Sequence, residues 1–577
     1  MKIQILFFLL IFLIQIKTET CKCVCRNTHL EVQIVPPKLS SNPFDYSAVH
    51  YEIQFLQDSS IKAQVESFWF QDYSRTKNPD GTEKLTVNGQ PMFVARWSYQ
   101  NVKAYEYRVK LFDSSNNGNV VCDNLCPSCS QVSQVGVIKV GNNKKYFQDP
   151  KTQETYFPIG ENVCWSVKNN TYDYDNWFNK LVSKGSGNYA RLWLSPFSSF
   201  TLENLSTGLG KYSLTNTWRL DYVVSLAEKL MMRLMICIES FNSYRSTPPY
   251  SYWPTNPYNS VNGGPLTNAK DFFSNEEAKK YFKNRLRYLV ARYGYSFNIL
   301  SWELFNEVDL TDDFGDSSQH YIVKNWHAEM SNYIKFLDIN KHMVTTSFSL
   351  SINDPEIYQL DEIDYSQSHT YGADDVAANA LALSNYKVNA YKKPSYIGEF
   401  GISGSPDYTV KTDPTGIHIH NGAWSGVVTG LAGIQLTWWW DSFIDPLNLY
   451  HIWKPISGFV KGIQFSEGDW EHCQFSKIDN VNSYGISSND IALVWIQNSN
   501  STWYSICINK IKLKEIPSSA ITVNSILNDG LYQSQCFDTT TGELIFSQSN
   551  ITVKSNTSII KFPKFLNDIA CKLFHQE

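Results

Sequence analysis

Between residues 156 and 439, short apolar runs alternate with helical stretches of 12 to 20 residues. The runs fall at 156–159, 189–195, 233–239, 299–307, 343–346, 365–369, 395–399 and 434–439; segments such as 214–229 and 275–293 carry the helical spacing between them. An unbroken apolar run suits a strand covered on both faces, and parallel neighbours need a crossover helix to connect them. Eight such units in succession predict an α/β protein built on a (β/α)8 TIM barrel. An open doubly wound sheet would place a glycine-rich phosphate loop after its first strand, and that loop is absent from the sequence.

The flanks follow another period. Runs at 30–35, 51–55, 65–70, 105–112 and 136–140 alternate in polarity and are punctuated by turn clusters such as Asn78-Pro79-Asp80-Gly81, which predicts a small N-terminal β-sandwich over 27–145. Strand-like runs return at 491–496, 503–508, 521–526, 531–537 and 559–562. The layout is a leader at 1–20, the sandwich at 27–145, the barrel at 150–466 and a small C-terminal β-domain at 470–577.

The leader is read from Met1-Lys2, the apolar run 3–16 and a short polar exit. The run has the length of a secretory signal and falls short of a bilayer span. No later stretch is apolar for long enough to cross a membrane, and no C-terminal lipid-anchor tail follows, so a soluble monomer that is secreted, or held in a lumenal or lysosomal compartment, is expected. Five Asn-x-Ser/Thr sequons, at Asn169, Asn204, Asn500, Asn550 and Asn556, and 12 cysteines suit that compartment. Cys21, Cys23 and Cys25 are expected to cross-pair with Cys122, Cys126 and Cys129; a metal site on the second triplet is the rival. Cys473, Cys507, Cys536 and Cys571 offer two further bridges, and Cys164 and Cys237 read as buried thiols. Fifty basic against 55 acidic residues, with no basic run, exclude the electrostatic footprint of a nucleic-acid binder. The chain is 15% aromatic, which calls for very aromatic cores or for a ligand with apolar faces.

Barrel chemistry sits at the C-terminal ends of the strands. Those ends offer Arg191, Glu239, Asn306, Glu307, His369, Tyr371, Glu399 and Trp439. Two carboxylates, Glu307 and Glu399, close the fourth and seventh strands. An acetal has no carbonyl to attack; its cleavage needs a proton donor for the leaving oxygen and an anion facing the sugar carbon. Alternation along the strands turns Ser301, Glu303, Phe305 and Glu307 inward with Arg191, and Leu300, Trp302, Leu304, Leu192 and Leu194 toward the helices. In the last strand Gln435, Thr437 and Trp439 then face inward. Ser366 and Ser368 fit less well, since the same rule turns them outward. The bland reading of Glu307 is a helix cap. His418-x-His420 reads as a loop feature, with a metal pair as its rival, and 250–254 as a substrate wall or plain loop packing.

Trp302-Glu303-Leu304-Phe305-Asn306-Glu307 resembles the acid/base strand of clan A glycoside hydrolases, and Ser395-Tyr396-Ile397-Gly398-Glu399-Phe400-Gly401 their nucleophile strand. Ser368-His369-Thr370-Tyr371 and Trp438-Trp439-Trp440-Asp441 are similar to the ends of the sixth and eighth strands, and the group resembled is cellulase-like (family-five-like), with an N-terminal β-sandwich of unassigned role. The resemblance implies Glu307 as general acid/base and Glu399 as nucleophile of a retaining hydrolase of β-linked poly- or oligosaccharide, with no metal and no cofactor. Asn306 would bond the sugar 2-hydroxyl, Arg191 and Tyr371 would orient Glu399, His369 would line the site and Trp439 would form a sugar platform. Trp165 and Trp253 are expected at the barrel mouth, and Trp438 and Trp440 in the core. A transglycosylase with the same two carboxylates and a catalytically silent glycan-binding surface protein are the alternatives.

Overall fold

The computed structural model describes residues 20–576, apart from 27, 37, 38, 40, 100–103, 130–132, 134 and 350–354. The leader read at 1–20 lies, but for Thr20, outside the described residues. The chain divides into two compact units, 1–72 with 87–133, and 73–86 with 134–577.

In the first unit two four-stranded antiparallel sheets form. One runs Thr20–Arg26, His29–Val35, Glu83–Ser98, Phe68–Lys77; the other runs Ser60–Glu66, Val49–Gln57, Glu106–Asp113, Asn117–Leu125. Their inner faces meet through Tyr51 on Phe93 and Phe55 on Trp97, with ring centroids 5.0 and 4.9 Å apart. The single run expected at 65–70 is the end of one strand and the start of the next, broken at the buried Ser67, whose hydroxyl accepts from Tyr51 N. Cys21, Cys23 and Cys25 cross-pair in order with Cys122, Cys126 and Cys129.

The second unit holds an arc of five parallel strands, Gly160–Asn162, Tyr189–Trp193, Arg233–Cys237, Ile299–Glu303 and Met343–Thr345. A parallel pair follows, Ser366–Tyr371 with Ser395–Gly401. Thr437 bridges both Glu161 and Phe400, joining the pair back to the first strand, and Asp364 N bonds Val344 O beside the gap between fifth and sixth. Two expectations change here. The first strand lies at 160–162, because Tyr156 pairs antiparallel with Phe147 before the chain enters the parallel arc. The eighth, expected over 434–439, bonds both neighbours through its backbone, Ile434 N to Pro158 O, Leu436 N to Ile397 O and Trp438 N to Phe400 O, but its parity fails: Gln435 donates to Ser425 Oγ on the helix Ile417–Val428 and so faces the helices. Trp439 then adopts a left-handed backbone at φ 63° and opens a wide helical turn at Trp440–Ile444.

Helix ends follow local chemistry. Leu214–Lys229 starts where Ser213 accepts from Asn216 N, and Glu276–Tyr293 where Asn275 accepts from Ala278 N, with Glu276 and Glu277 in the first turn and Arg292 in the last. Trp302 turns outward, its indole donating to the buried Asp338 after the helix Ser317–Leu337.

The C-terminal strands join the barrel in the same unit. A six-stranded and a three-stranded sheet pack Val494, Ile521, Tyr532, Ile551 and Ile560 between them. The strand expected at 503–508 is instead a helical turn, Tyr504–Ile508. Of the two C-terminal bridges expected, Cys536–Cys571 forms, across neighbouring strands; Cys473 and Cys507 stay reduced, as do the buried Cys164 and Cys237. His418-x-His420 lies in the first turns of the helix Ile417–Val428, not in a loop: His418 bonds Asp413 at 2.7 Å and His420 bonds Asp568 at 2.9 Å.

Candidate active site

Arg191, on the second barrel strand, organises the strand ends. Its Nε and Nη2 donate to the two oxygens of Glu303 at 2.7 and 2.8 Å, Nη1 to Glu399 at 2.5 Å, and Nη2 also to Asn306 Oδ1 at 2.8 Å. The guanidinium is fully buried, so its planar fork sets the relative positions of residues from strands two, four and seven. Glu303 is the partner that motif reading passed over. Its place one strand turn before Asn306 and its inward parity were the available signals.

The chain leaves the fourth strand at Glu303, and alternation ends with it. Phe305, expected inward, packs on Phe273 and Trp326 beneath the helices, while Asn306 turns in and Glu307 adopts a left-handed backbone at φ 49°. That conformation is uncommon for a residue with a side chain. It is held by Ser347, whose hydroxyl accepts from Glu307 N at 3.1 Å and whose carbonyl accepts from Val308 N.

Glu307, His369 and Glu399 converge: one side-chain ligand atom from each lies within 4.8 Å of the others. His369 Nδ1 pairs with Glu307 Oε1 at 2.8 Å and stands 3.5 Å from Glu399 Oε2. Tyr371 OH donates to Glu399 Oε2 at 2.9 Å. The two carboxyl groups thus differ in company: Glu399 takes a guanidinium and a phenol, whereas Glu307 takes an imidazole.

Burial pushes Glu307 up to about 7, against the pull of Arg191 and with the help of the Glu303 charge. Burial also raises Glu399, opposed by His369 and Arg191. Burial lowers His369 to about 4, so the imidazole is neutral near neutral pH. Asp309, bonded to Ser349, is raised to about 6, again by burial. Among the described residues, the Glu307–His369–Glu399 group is also the one cluster of side chains spaced to hold a metal ion, and it coincides with this carboxylate pair.

Trp439, at the end of the eighth strand, is half-buried, its indole donating to Ser403 O at 3.1 Å. Glu239, collected from the third strand end, is not brought to the pair; it bonds Arg285 at 2.6 Å. Trp438 and Trp440 are buried as expected, and Trp165 is half-buried against both. Trp253, expected at the mouth, is buried, while Tyr250 and, less so, Tyr252 of the same loop are exposed.

The chain is 28% identical over 265 residues to mannan endo-1,4-β-mannosidase 4 of Solanum lycopersicum, covering 40% of this chain and 64% of that protein. It is 35% identical over 215 residues to mannan endo-1,4-β-mannosidase A of Aspergillus aculeatus, covering 32% of this chain and 52% of that protein. The chain therefore spans about half to two thirds of the length of these curated relatives. A Bacteroides vulgatus protein solved as a candidate glycoside hydrolase superposes with a TM-score of 0.59 at 10% identity, over 95% of this chain and 98% of that one, a likeness of fold. No protein-family model matches the chain. Sequence relatives and fold alike resemble glycoside hydrolases. Within that class, the sequence relatives are mannan endo-1,4-β-mannosidases.

Proposed function

We propose that this protein is a secreted, retaining hydrolase of β-linked glycans, with β-1,4-mannan as its first substrate class. A (β/α)8 barrel over 150–466 carries the chemistry, between a β-sandwich at 27–145 and a C-terminal β-domain at 470–577. The observation that carries the reading is the close but unequal carboxyl pair, with Glu307 and Glu399 oxygens within 4.8 Å. Retaining glycosidases hold their carboxyl groups about 5–5.5 Å apart, whereas inverting ones leave about 6.5–9.5 Å for a water molecule.

The steps follow from the company each group keeps. Glu399, facing Arg191 and Tyr371, carries the charge; Glu307, raised to about 7, carries the proton. Glu399 attacks the anomeric carbon while Glu307 gives its proton to the departing glycosidic oxygen, leaving a glycosyl ester on Glu399. Glu307, now a carboxylate, takes a proton from water as that water attacks the same carbon and Glu399 departs. Two inversions restore the starting configuration. Asn306, fixed by Arg191, presents its amide to the sugar 2-hydroxyl, and Trp439 offers its face to the ring.

Secretion is supported by three disulfides in the N-terminal unit and one near the C-terminus. Among the described residues, no helix is long and apolar enough to cross a membrane. Mannan names the sequence relatives and is therefore the substrate to try first within a panel of β-linked polysaccharides. Wild-type protein is expected to release reducing ends from it, and Glu399→Gln to lower that rate by at least about a thousandfold. Undiminished activity in Glu399→Gln would remove the nucleophile assignment.

A further inference from the structure

Glu307 lies past the ends of the fourth and fifth barrel strands, yet rungs continue between the two segments that leave them. Ser347 N donates to Phe305 O at 3.0 Å, Glu307 N to Ser347 Oγ at 3.1 Å and Val308 N to Ser347 O at 3.2 Å. The Ser347 hydroxyl also turns toward Asn306 Oδ1, at 3.4 Å. All four contacts pass through Ser347, so the left-handed turn at Glu307 depends on where that residue is held.

The next rung is made by a carboxylate. Asp309 Oδ1 accepts from Ser349 N at 2.8 Å, and Oδ2 from Ser349 Oγ at 2.6 Å. Asp309 follows Glu307 by two residues and Ser349 follows Ser347 by two, so this pair continues the register of the rung before it. Hydrogen bonds to an ionised acceptor are roughly twice as strong as neutral ones, and two of them to one residue leave it little freedom to slide. Asp309 is itself fixed, in the single helical turn Val308–Leu310, which is closed by Leu310 N on Glu307 O and Thr311 N on Val308 O. Between Ser347 and Ser349 the side chain of Phe348 is fully buried, with its ring centroid 5.3 Å from that of Tyr358. The segment 347–349 is thereby pinned in the middle by packing and at its far end by Asp309.

A general acid works only within hydrogen-bond reach of the oxygen it protonates. A strained backbone persists only where its surroundings over-determine it. We propose that Asp309 is a positioning residue for the general acid: through Ser349 it holds Ser347 in register with Glu307, and so fixes where the Glu307 carboxyl is presented. The inference rests on the hydrolase reading and adds to it a residue that acts through others.

The test compares kcat/KM on β-1,4-mannan with kcat/KM on a manno-oligosaccharide bearing an activated aryl leaving group, which departs without a proton. Asp309→Ala is expected to lower the value on mannan about ten- to a hundredfold, through kcat rather than KM, the scale of misplacing a reacting group by about 1 Å. On the aryl substrate the loss should stay below about threefold, because its first step needs no acid. Asp309→Asn keeps one accepting oxygen and should recover part of the loss on mannan. Ser349→Ala keeps its backbone bond to Asp309 and should show a smaller loss with the same split; these two variants carry the test if Asp309→Ala does not fold. Folded variants that lose equally on both substrates, lose through KM alone or lose nothing on mannan would overturn the positioning role and leave the hydrolase reading intact. No cleavage of either substrate by wild type would contradict the hydrolase reading on this substrate class, and this inference with it.

Discussion

Glu307 and Trp439 both hold left-handed backbones, at φ 49° and 63°. Each conformation takes the side chain off regular strand alternation, at a cost of order 1–3 kcal/mol that the surrounding packing must meet. Strand parity could therefore identify Arg191 and Glu303, which lie on regular strands, but placed Phe305 on the wrong side. The motif Asn306-Glu307 found the acid because it names residue types; the backbone turn that aims them depends on Ser347, 40 residues away. At this scale the pH profile is set by Glu307, which must carry its proton for the first step. Its raised value keeps it protonated up to about 7, so kcat/KM should fall about tenfold per pH unit above that point, the limiting slope for loss of one essential proton. Substrates with activated aryl leaving groups, which depart without a proton, should flatten that limb. They should also lose less to Glu307→Ala than mannan does, the loss on mannan being about 10²–10⁴-fold. Equal losses on both substrates would contradict the acid role.

Elements with a strong local signal were legible. Leu214–Lys229 lies where the periodicity puts it, and Glu276–Tyr293 begins after the Asn275 cap. The eighth strand was legible in place and not in facing: residues 434–438 bond both neighbours through the backbone, yet Gln435 turns to the helices and the chain leaves the strand at Trp439. Sandwich strands at Glu83–Ser98 and Asn117–Leu125 escaped notice because long polar stretches hide their alternation. The paired cysteine triplets did show, and they carry a prediction. Their separations of 101, 103 and 104 residues close nearly the same loop. With two bridges in place, the third closes only a short ring, so removing any one pair should cost about 2 kcal/mol, against about 5 for a solitary bridge across about 100 residues. Chemical denaturation of the three double-serine variants measures this, and a single variant losing the full amount would mean that the bridges act independently.

Across the whole molecule, residues 470–577 belong with the barrel. Asn421 donates to Ser501 O, Trp424 to Thr539 O, and His420 pairs with Asp568, all from one barrel helix. Trp424 is fully buried, so a chain ending at 466 would expose it and strip three polar groups of partners. Such a truncation should be insoluble or molten by near-ultraviolet dichroism, and a soluble truncation with native dichroism would show the C-terminal strands to be dispensable. The aromatic excess is likewise shared out over the molecule, between packed cores such as Trp302, Trp326 and Trp495 and half-buried rings such as Trp165 and Trp439. The central claim is that Glu399 becomes covalently bonded to sugar while Glu307 manages the proton. Its most direct measurement is trapping with a 2-deoxy-2-fluoro-β-mannosyl or -glycosyl inactivator, followed by peptide mass spectrometry. The account predicts one glycosyl ester, on Glu399 in the segment 395–401; an adduct on Glu307, or none from any inactivator while the polymer is still cleaved, would contradict it.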